Sequence, residues 1–225
     1  MRQVDRTKIP IPKSIENNGK KWTKELLGAI AKAKKSRTKI PKAFYNKYKK
    51  NDILNALKDM YGDNGDSYCC YCESTINTVS YEEIEHRKPK SKYPRETFDW
   101  NNLHLACSRC NKHKGDKYNN KFPILDAAID NIEQNLGYKH TPKGVLRETL
   151  TQRGITTVED TDLDREPLPK KRQTIWIKTQ SLIDDIKRLG NDPRVYTAKK
   201  ALRYECKGEY GSLIKHLMIK EGIWI

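Results

Sequence analysis

The chain has 225 residues and carries 45 Lys and Arg against 29 Asp and Glu, a formal net charge of +16. No apolar run reaches the length of a membrane span, and Met1 leads into Arg2, Asp5 and Arg6 rather than into an apolar signal core, so a cytoplasmic protein with no membrane partner is expected. In that compartment thiols stay reduced, and six cysteines call for metal binding, catalysis or burial before disulfides.

The charge is concentrated at the start. Residues 1–50 hold 16 Lys and Arg and only Asp5, Glu16 and Glu25 as acids, which reads either as a solvated face or as a phosphate-tracking arm for nucleic acid. Residues 1–21 look extended, with Ile9, Ile11 and Ile15 among Pro10, Pro12, Asn17, Asn18 and Gly19. A short helix fits 22–35, with Leu26, Leu27 and Ile30 on one side. A clearer helix follows Asn51, where Ile53, Leu57, Met60 and Tyr61 form a stripe and Gly62 supplies the stop. Asp63, Asn64, Gly65 and Asp66 then make a turn.

Cys69-Cys70-Tyr71-Cys72 and Cys107-Ser108-Arg109-Cys110 are two C-x2-C pairs, 34 residues apart. Each turn sets two thiolates on one side of a tight loop, and two such turns complete a four-thiolate Zn2+ site at Cys69, Cys72, Cys107 and Cys110. Such a site has no open coordination position, so the zinc is expected to be structural, stapling a unit too small to fold on hydrophobic burial alone. Cys70 and Cys206 read as buried packing residues. Between the knuckles, 82–86 alternates like a strand and ends on a carboxylate beside an imidazole, Glu85-His86, with Arg87, Lys88, Pro89 and Lys90 following. Asn102-Leu103-His104-Leu105 leads into the second knuckle, and Asn111, Lys112, His113, Lys114 and Gly115 begin a short helix after it.

Further on, Ile129, Ile132 and Leu136 suggest a helix ending at Gly137, and Val145, Leu146 and Leu150 another opened by Thr141-Pro142 and closed by Gly154. An acidic interlude from Glu159 to Glu166, followed by Pro167 and Pro169, reads as a linker or long loop near 155–172. Three short helices fit 182–189, 193–205 and 210–221. The expected fold is mainly α with one small α+β unit. It divides into a basic N-terminal arm with helices (1–62), a zinc-bound core (63–120) and a helical C-terminal region (121–225).

The order C-x2-C, Glu-His-x-x-Pro, Trp-x-Asn-Leu, C-x2-C-Asn-x-x-Lys-Gly, running from Cys69 to Gly115, resembles the HNH endonucleases, whose ββα motif grips one divalent ion. The flanks resemble the HNH nuclease that accompanies an ABC-type ATPase in Septu and retron antiphage defence systems. The resemblance implies an endonuclease acting on DNA or RNA with an ATPase partner. It makes His86 the general base, Glu85 and Asn111 the ligands of a catalytic Mg2+ or Mn2+, and Asn102 the residue that holds the loop and the base. Glu85 departs from the Asp usual in the family, and its extra methylene shifts the metal or the backbone. Arg87, Lys88, Lys90, Lys112 and Lys114 are placed to hold flanking phosphates.

Plainer readings stand beside these. A Glu-His pair in a strand is commonly a surface ion pair, and the protein as a whole could be a zinc-containing module that binds nucleic acid or a partner without cutting anything. His104 supports the site or packs; His113 is exposed or contacts phosphate; His140 and His216 take the surface reading. Tyr68, Tyr71, Tyr93 and Trp100 pack around the small unit more readily than they stack on bases.

Overall fold

The computed structural model describes residues 1–76 and 81–225. After Pro10-Ile11-Pro12 the chain enters α1 (Lys13–Ser36), which starts nine residues before the helix expected at 22–35. The Asn and Gly residues at 17–19, read locally as breakers, lie inside this helix because its buried stripe starts at Ile15 and runs through Gly19 and Leu26 to Ala33. Trp22 meets the ring of Phe98 edge-on at 5.6 Å. A short helix α2 (Lys42–Tyr45) and a 3-10 turn at Asn46–Tyr48 lead to α3 (Asn51–Tyr61). Lys50 rather than Asn51 takes the cap position, and Asp52 instead receives Ser14 N–H and Ser14 Oγ, each at 2.8 Å, tying α1 to α3.

Gly62 ends α3 and opens the two-residue strand β1 (Gly62–Asp63), paired with β2 (Asp66–Ser67). Asn64 and Gly65 both have positive φ, as a two-residue hairpin turn requires. The first knuckle follows. Then come β3 (Glu82–His86), a loop with two 3-10 turns, β4 (Leu103–Cys107) and α4 (Ser108–Lys114). β3 and β4 are antiparallel, with Glu82 opposite Cys107 and His86 opposite Leu103.

The region after α4 differs most from expectation. Where helices were expected around 129–137 and 145–150 there is a β-hairpin, β5 (Leu136–Thr141) and β6 (Gly144–Thr149). Val145 and Arg147 alternate inward, Arg147 opposite the buried Tyr138, and short apolar runs at such spacings suit either period until packing decides. The expected linker is a folded part of the core. α5 (Gln152–Thr161) is capped by Thr151 Oγ accepting Gly154 N–H at 3.1 Å, and it buries Thr156, Thr157 and Thr161. Leu163 is fully buried, and Asp164 accepts from the buried Arg172 guanidinium at 2.9 Å. The acidic residues face outward or pair, which is why composition alone resembles a linker.

α6 (Leu168–Arg188), α7 (Arg194–Glu205) and α8 (Gly211–Lys220) complete the chain. Among the described residues the apolar interior forms two clusters. The larger joins α1, α3, the knuckles, the β3–β4 hairpin and the β5–β6 hairpin; the smaller lies among α6, α7 and α8 around Ile183, Leu202, Leu217 and Met218. Among the described residues no helix is long and apolar enough to cross a membrane.

Two glycines give a paired test. A Cβ at Gly211 would sit 1.9 Å from the Cys206 carbonyl oxygen, whereas one at Gly28, in the middle of α1, meets nothing within 4 Å. Gly211→Ala should therefore destabilise by about 1–3 kcal/mol or more through overpacking. Gly28→Ala should stabilise by about 0.5–1 kcal/mol through helix propensity. Thermal melts of the two variants with opposite signs are the expected result.

Candidate active site and metal centre

β3, β4 and α4 build the site. Alternation along β3 sets Glu83 and Glu85 on the face toward α4. Asn111 Nδ2 donates to Glu83 Oε2 at 2.5 Å, and Lys114 Nζ lies 2.5 Å from Glu85 Oε1. Glu83 and Asn111 line a cleft of about 490 Å3 together with Tyr48, Lys49, Lys50 and Asn51, the segment that leads into α3. Sequence reasoning had singled out neither Glu83 nor Tyr48; the i, i+2 spacing of Glu83 and Glu85 was the available signal.

Glu85 is 2% exposed and also accepts from Tyr71 Oη at 3.1 Å. Burial holds its carboxyl above the ordinary value, even with the Lys114 ammonium and the Tyr71 hydroxyl beside it. His86 is 6% exposed and its Nε2 lies 2.9 Å from the Thr97 carbonyl oxygen. A carbonyl only accepts, so Nε2 carries the proton and Nδ1 the lone pair. The Tyr48 ring meets the imidazole edge-on at 4.5 Å. Burial, with the nearby Lys90 and Lys114 charges, pulls the His86 pKa down to about 3 against the Thr97 hydrogen bond, so the ring is neutral at pH 7.

The five expected phosphate contacts differ in their surroundings. Lys114 is 1% exposed, with its ammonium on Glu85 and on the His86 carbonyl oxygen at 2.8 Å; it is an internal brace, because the helix turn that carries it faces β3. Arg87 ion-pairs at 3.1 Å with the buried Asp126 and donates to the Ile124 carbonyl, so it too is turned inward. Lys88 pairs with Glu96 at 2.8 Å, and Lys90 donates to Tyr48 Oη at 3.0 Å. Lys112 stands exposed on α4.

Asn102 is buried and closes the loop after His86. Its Oδ1 accepts Lys88 N–H at 2.7 Å, and its Nδ2 donates to the Lys88 and Glu96 carbonyls, each at 3.0 Å. Behind the strands runs a second buried chain. Tyr61 Oη lies 2.6 Å from His104 Nδ1, and His104 Nε2 lies 3.7 Å from Asp126 Oδ1. His104 thus links α3, β4 and the 124–126 segment rather than facing the cleft. His113 is partly exposed, 3.7 Å from Asp162; His216 is half-buried against the Tyr138 ring, a departure from its surface reading.

The four knuckle cysteines converge. The Sγ atoms of Cys69, Cys72, Cys107 and Cys110 all lie within 4.8 Å of one another and all four residues are buried; Cys72 and Cys107 are 3.9 Å apart. A tetrahedral ion with metal–sulfur bonds of 2.3 Å implies sulfurs about 3.8 Å apart, so the cluster has the dimensions of a four-thiolate metal site. Burial pushes the Cys69 thiol well up, and thiolates gather in such a place only around a cation. Arg165, from the segment read as linker, donates to Cys110 Sγ at 3.3 Å and reaches Cys107 Sγ at 4.0 Å, where its charge offsets the excess anion of a four-thiolate site. Cys70 is buried outside the cluster, and Cys206 is half-buried at the end of α7. Glu73, one residue past the knuckle, is buried and accepts from Ser212 N–H at 2.9 Å and Ser212 Oγ at 2.5 Å, joining the metal centre to the start of α8.

Comparisons with known proteins agree with this geometry. Residues 69–117 match the HNH endonuclease family. The chain is 28% identical over 240 aligned positions to the Septu protein PtuB of Bacillus mycoides (strain KBAB4), covering 91% of this chain and 75% of that protein. It is 31% identical to the Septu protein PtuB of Bacillus thuringiensis over 121 positions, covering 52% of this chain and 45% of that one.

The Asp126 carboxyl gives a pH prediction. Burial alone would raise it, but the nearby His104 ring, the Ala128 N–H and the Arg87 guanidinium hold it well below the usual carboxylate range. The stability it contributes is present above its unfolded pKa of about 3.9 and is lost as pH falls toward the folded value. Unfolding free energy should therefore drop below about pH 4, and Asp126→Asn should be less stable at neutral pH with a shallower acid limb. Parallel acid limbs in urea titrations would remove Asp126 as the cause.

Proposed function

We propose that this HNH endonuclease hydrolyses phosphodiester bonds of nucleic acid in a metal-dependent reaction, as the nuclease of a Septu-type antiphage system working in the cytoplasm with an ABC-type ATPase. The observation that carries the chemistry is a neutral imidazole whose Nε2–H is held by the Thr97 carbonyl, on the same strand as two carboxylates, one of which is bonded to the Asn111 amide of α4. The defence assignment is supported by similarity to the PtuB protein of Bacillus mycoides along 91% of the chain.

In this reading His86 Nδ1 takes a proton from the attacking water, and the Thr97 carbonyl steadies the imidazolium that forms through its bond to Nε2–H. Asn102 ties the Lys88 and Glu96 ends of the loop together, next to the Thr97 carbonyl that holds His86. The residues that would hold a catalytic ion are Asn111, through Oδ1, with the carboxylates of Glu83 and Glu85. They form a hard oxygen set suited to Mg2+ or Mn2+. Asn111 Nδ2 is already engaged by Glu83, which turns Oδ1 outward as the amide's acceptor. When bound, such an ion neutralises charge on the phosphate oxygens. Lys49, Lys50 and Lys112 are the cations nearest this face with free reach to flanking phosphates.

A base at about 3 is weak at neutral pH. A phosphate arriving beside the imidazole, with the Tyr48 ring displaced, would raise it. This favours a nuclease that is quiet at rest and opened by substrate or partner. The four-cysteine site takes Zn2+ in a structural role, because its ligands are all sulfur and all buried.

Two measurements test this. Purified protein and its His86→Ala variant are incubated with plasmid, single-stranded DNA and total RNA in Mn2+, Mg2+ or EDTA, with and without the ATPase. Cleavage should vanish in EDTA and fall about 10²–10⁴-fold in the variant; equal rates in the two proteins would sink the assignment. Metal analysis should find one zinc per chain. Arg165→Met should release it to a chelator about 10–100-fold faster, and an unchanged release rate would deny Arg165 that supporting role.

A further inference from the structure

The cleft that runs along α7 belongs to none of this chemistry. It encloses about 740 Å3 and is lined by Tyr196, Lys200, Arg203, Tyr204, Lys207 and Trp224, with the amino-terminal residues and α8 on its far wall. On α7 the apolar Leu202 turns into the smaller core, while positions 196, 200, 203 and 204 recur at helical spacing along the cleft and Lys207 follows in the turn after the helix. Tyr196 is 66% exposed and Tyr204 49% exposed, the Tyr204 hydroxyl accepting from Asn64 Nδ2 at 3.0 Å.

Charge on this face has one sign. The acid within α7, Glu205, lines the groove on the other side of the helix. The acid among the cleft-lining residues is Glu133, and it is paired to Lys215. Several cations there already have partners: Arg203 covers the Trp224 ring at 4.9 Å, and Arg2 donates to the Cys206 carbonyl at 3.1 Å. Lys200 stands exposed, and Lys207 sits 4.8 Å from the centre of the Tyr204 ring. Two exposed rings about 12 Å apart along the helix, interleaved with lysines, match a polymer that offers both phosphates and open base faces. A duplex stacks its bases away from such rings, and a protein partner would need acidic side chains at the same spacing.

We propose that α7 and its cleft form a second nucleic-acid contact surface, selective for single strands, in which bases stack on Tyr196 and Tyr204 and phosphates lie against Lys200 and Lys207. The inference rests on the nuclease reading only in taking nucleic acid as the polymer. It is tested without cleavage, so failure of one is separable from failure of the other.

Binding is measured in the full-length His86→Ala protein by anisotropy of a labelled oligo(dT) and of a duplex of equal length. Adding Tyr196→Ala and Tyr204→Ala should weaken oligo(dT) binding about tenfold or more, since each base stack carries a large share of such affinity. Duplex binding should hardly change. Adding Lys200→Ala and Lys207→Ala should reduce the slope of log affinity against log salt by about 1.4, for two phosphate contacts on a single strand. An oligonucleotide carrying 4-thiothymidine should crosslink to the 194–207 segment of the unaltered helix, a readout that does not depend on how the variants fold. Unchanged oligo(dT) affinity in both double variants, or crosslinks confined to other segments, would overturn the proposal and leave this face for a protein partner.

Discussion

Four buried sulfurs within 4.8 Å of one another are the constraint on which the rest of the molecule is arranged. Cys107 is both the last residue of β4 and the residue before α4, so a metal held there fixes the angle between strand and helix. The first knuckle is bound to the same strand from the other side, through Cys70 N–H on the Leu105 carbonyl at 2.8 Å. Without that clamp, a five-residue strand pair and a seven-residue helix bury too little to hold a geometry on their own. With it, His86, Glu83, Glu85 and Asn111 are carried on elements whose relative positions are set from below.

The flanks are fastened to this centre by charge rather than by apolar contact alone. Arg165 reaches the thiolates from the turn between α5 and α6, and Glu73 reaches Ser212 at the start of α8. The Glu73 carboxylate is buried with its partners, the form in which such a group is tolerated in an interior, and the Arg165 guanidinium is half-buried against the sulfurs. The four-cysteine cluster and its neighbour Glu73 are therefore where the α5–α6 turn and the start of α8 meet the hairpin. A substitution far along the chain, at α8 for example, acts on the knuckle through these contacts.

The active face shows a related economy. Lys114, Glu85 and Tyr71 neutralise one another in the interior, while Glu83 and Asn111 hold the side that opens on the Lys49–Lys50 cleft. His86 is oriented by a backbone carbonyl and covered by Tyr48, and the loop beyond it is clipped by three Asn102 hydrogen bonds. The groups are preorganised, but the imidazole is shielded.

Much of this was legible in the residues. The C-x2-C pairs, the Glu-His step and the Asn-Leu strand are local patterns whose chemistry depends on spacing of a few residues, and α3, α7 and α8 carry stripes long enough to specify a helix. The start of α1, the β5–β6 hairpin and the packed 155–172 stretch were decided by tertiary contact, because Ile15, Tyr138 and Leu163 are buried by partners remote in sequence. The same holds for the inward turn of Lys114 and Arg87: a cation beside a catalytic motif looks the same in sequence whether it faces solvent or a buried carboxylate. Sequence spacing by itself determined which groups could meet within one turn or one strand. Which side chains face each other across elements, and so which charges are spent inside and which remain for a phosphate, was set only when distant segments closed over the hairpin and desolvated them.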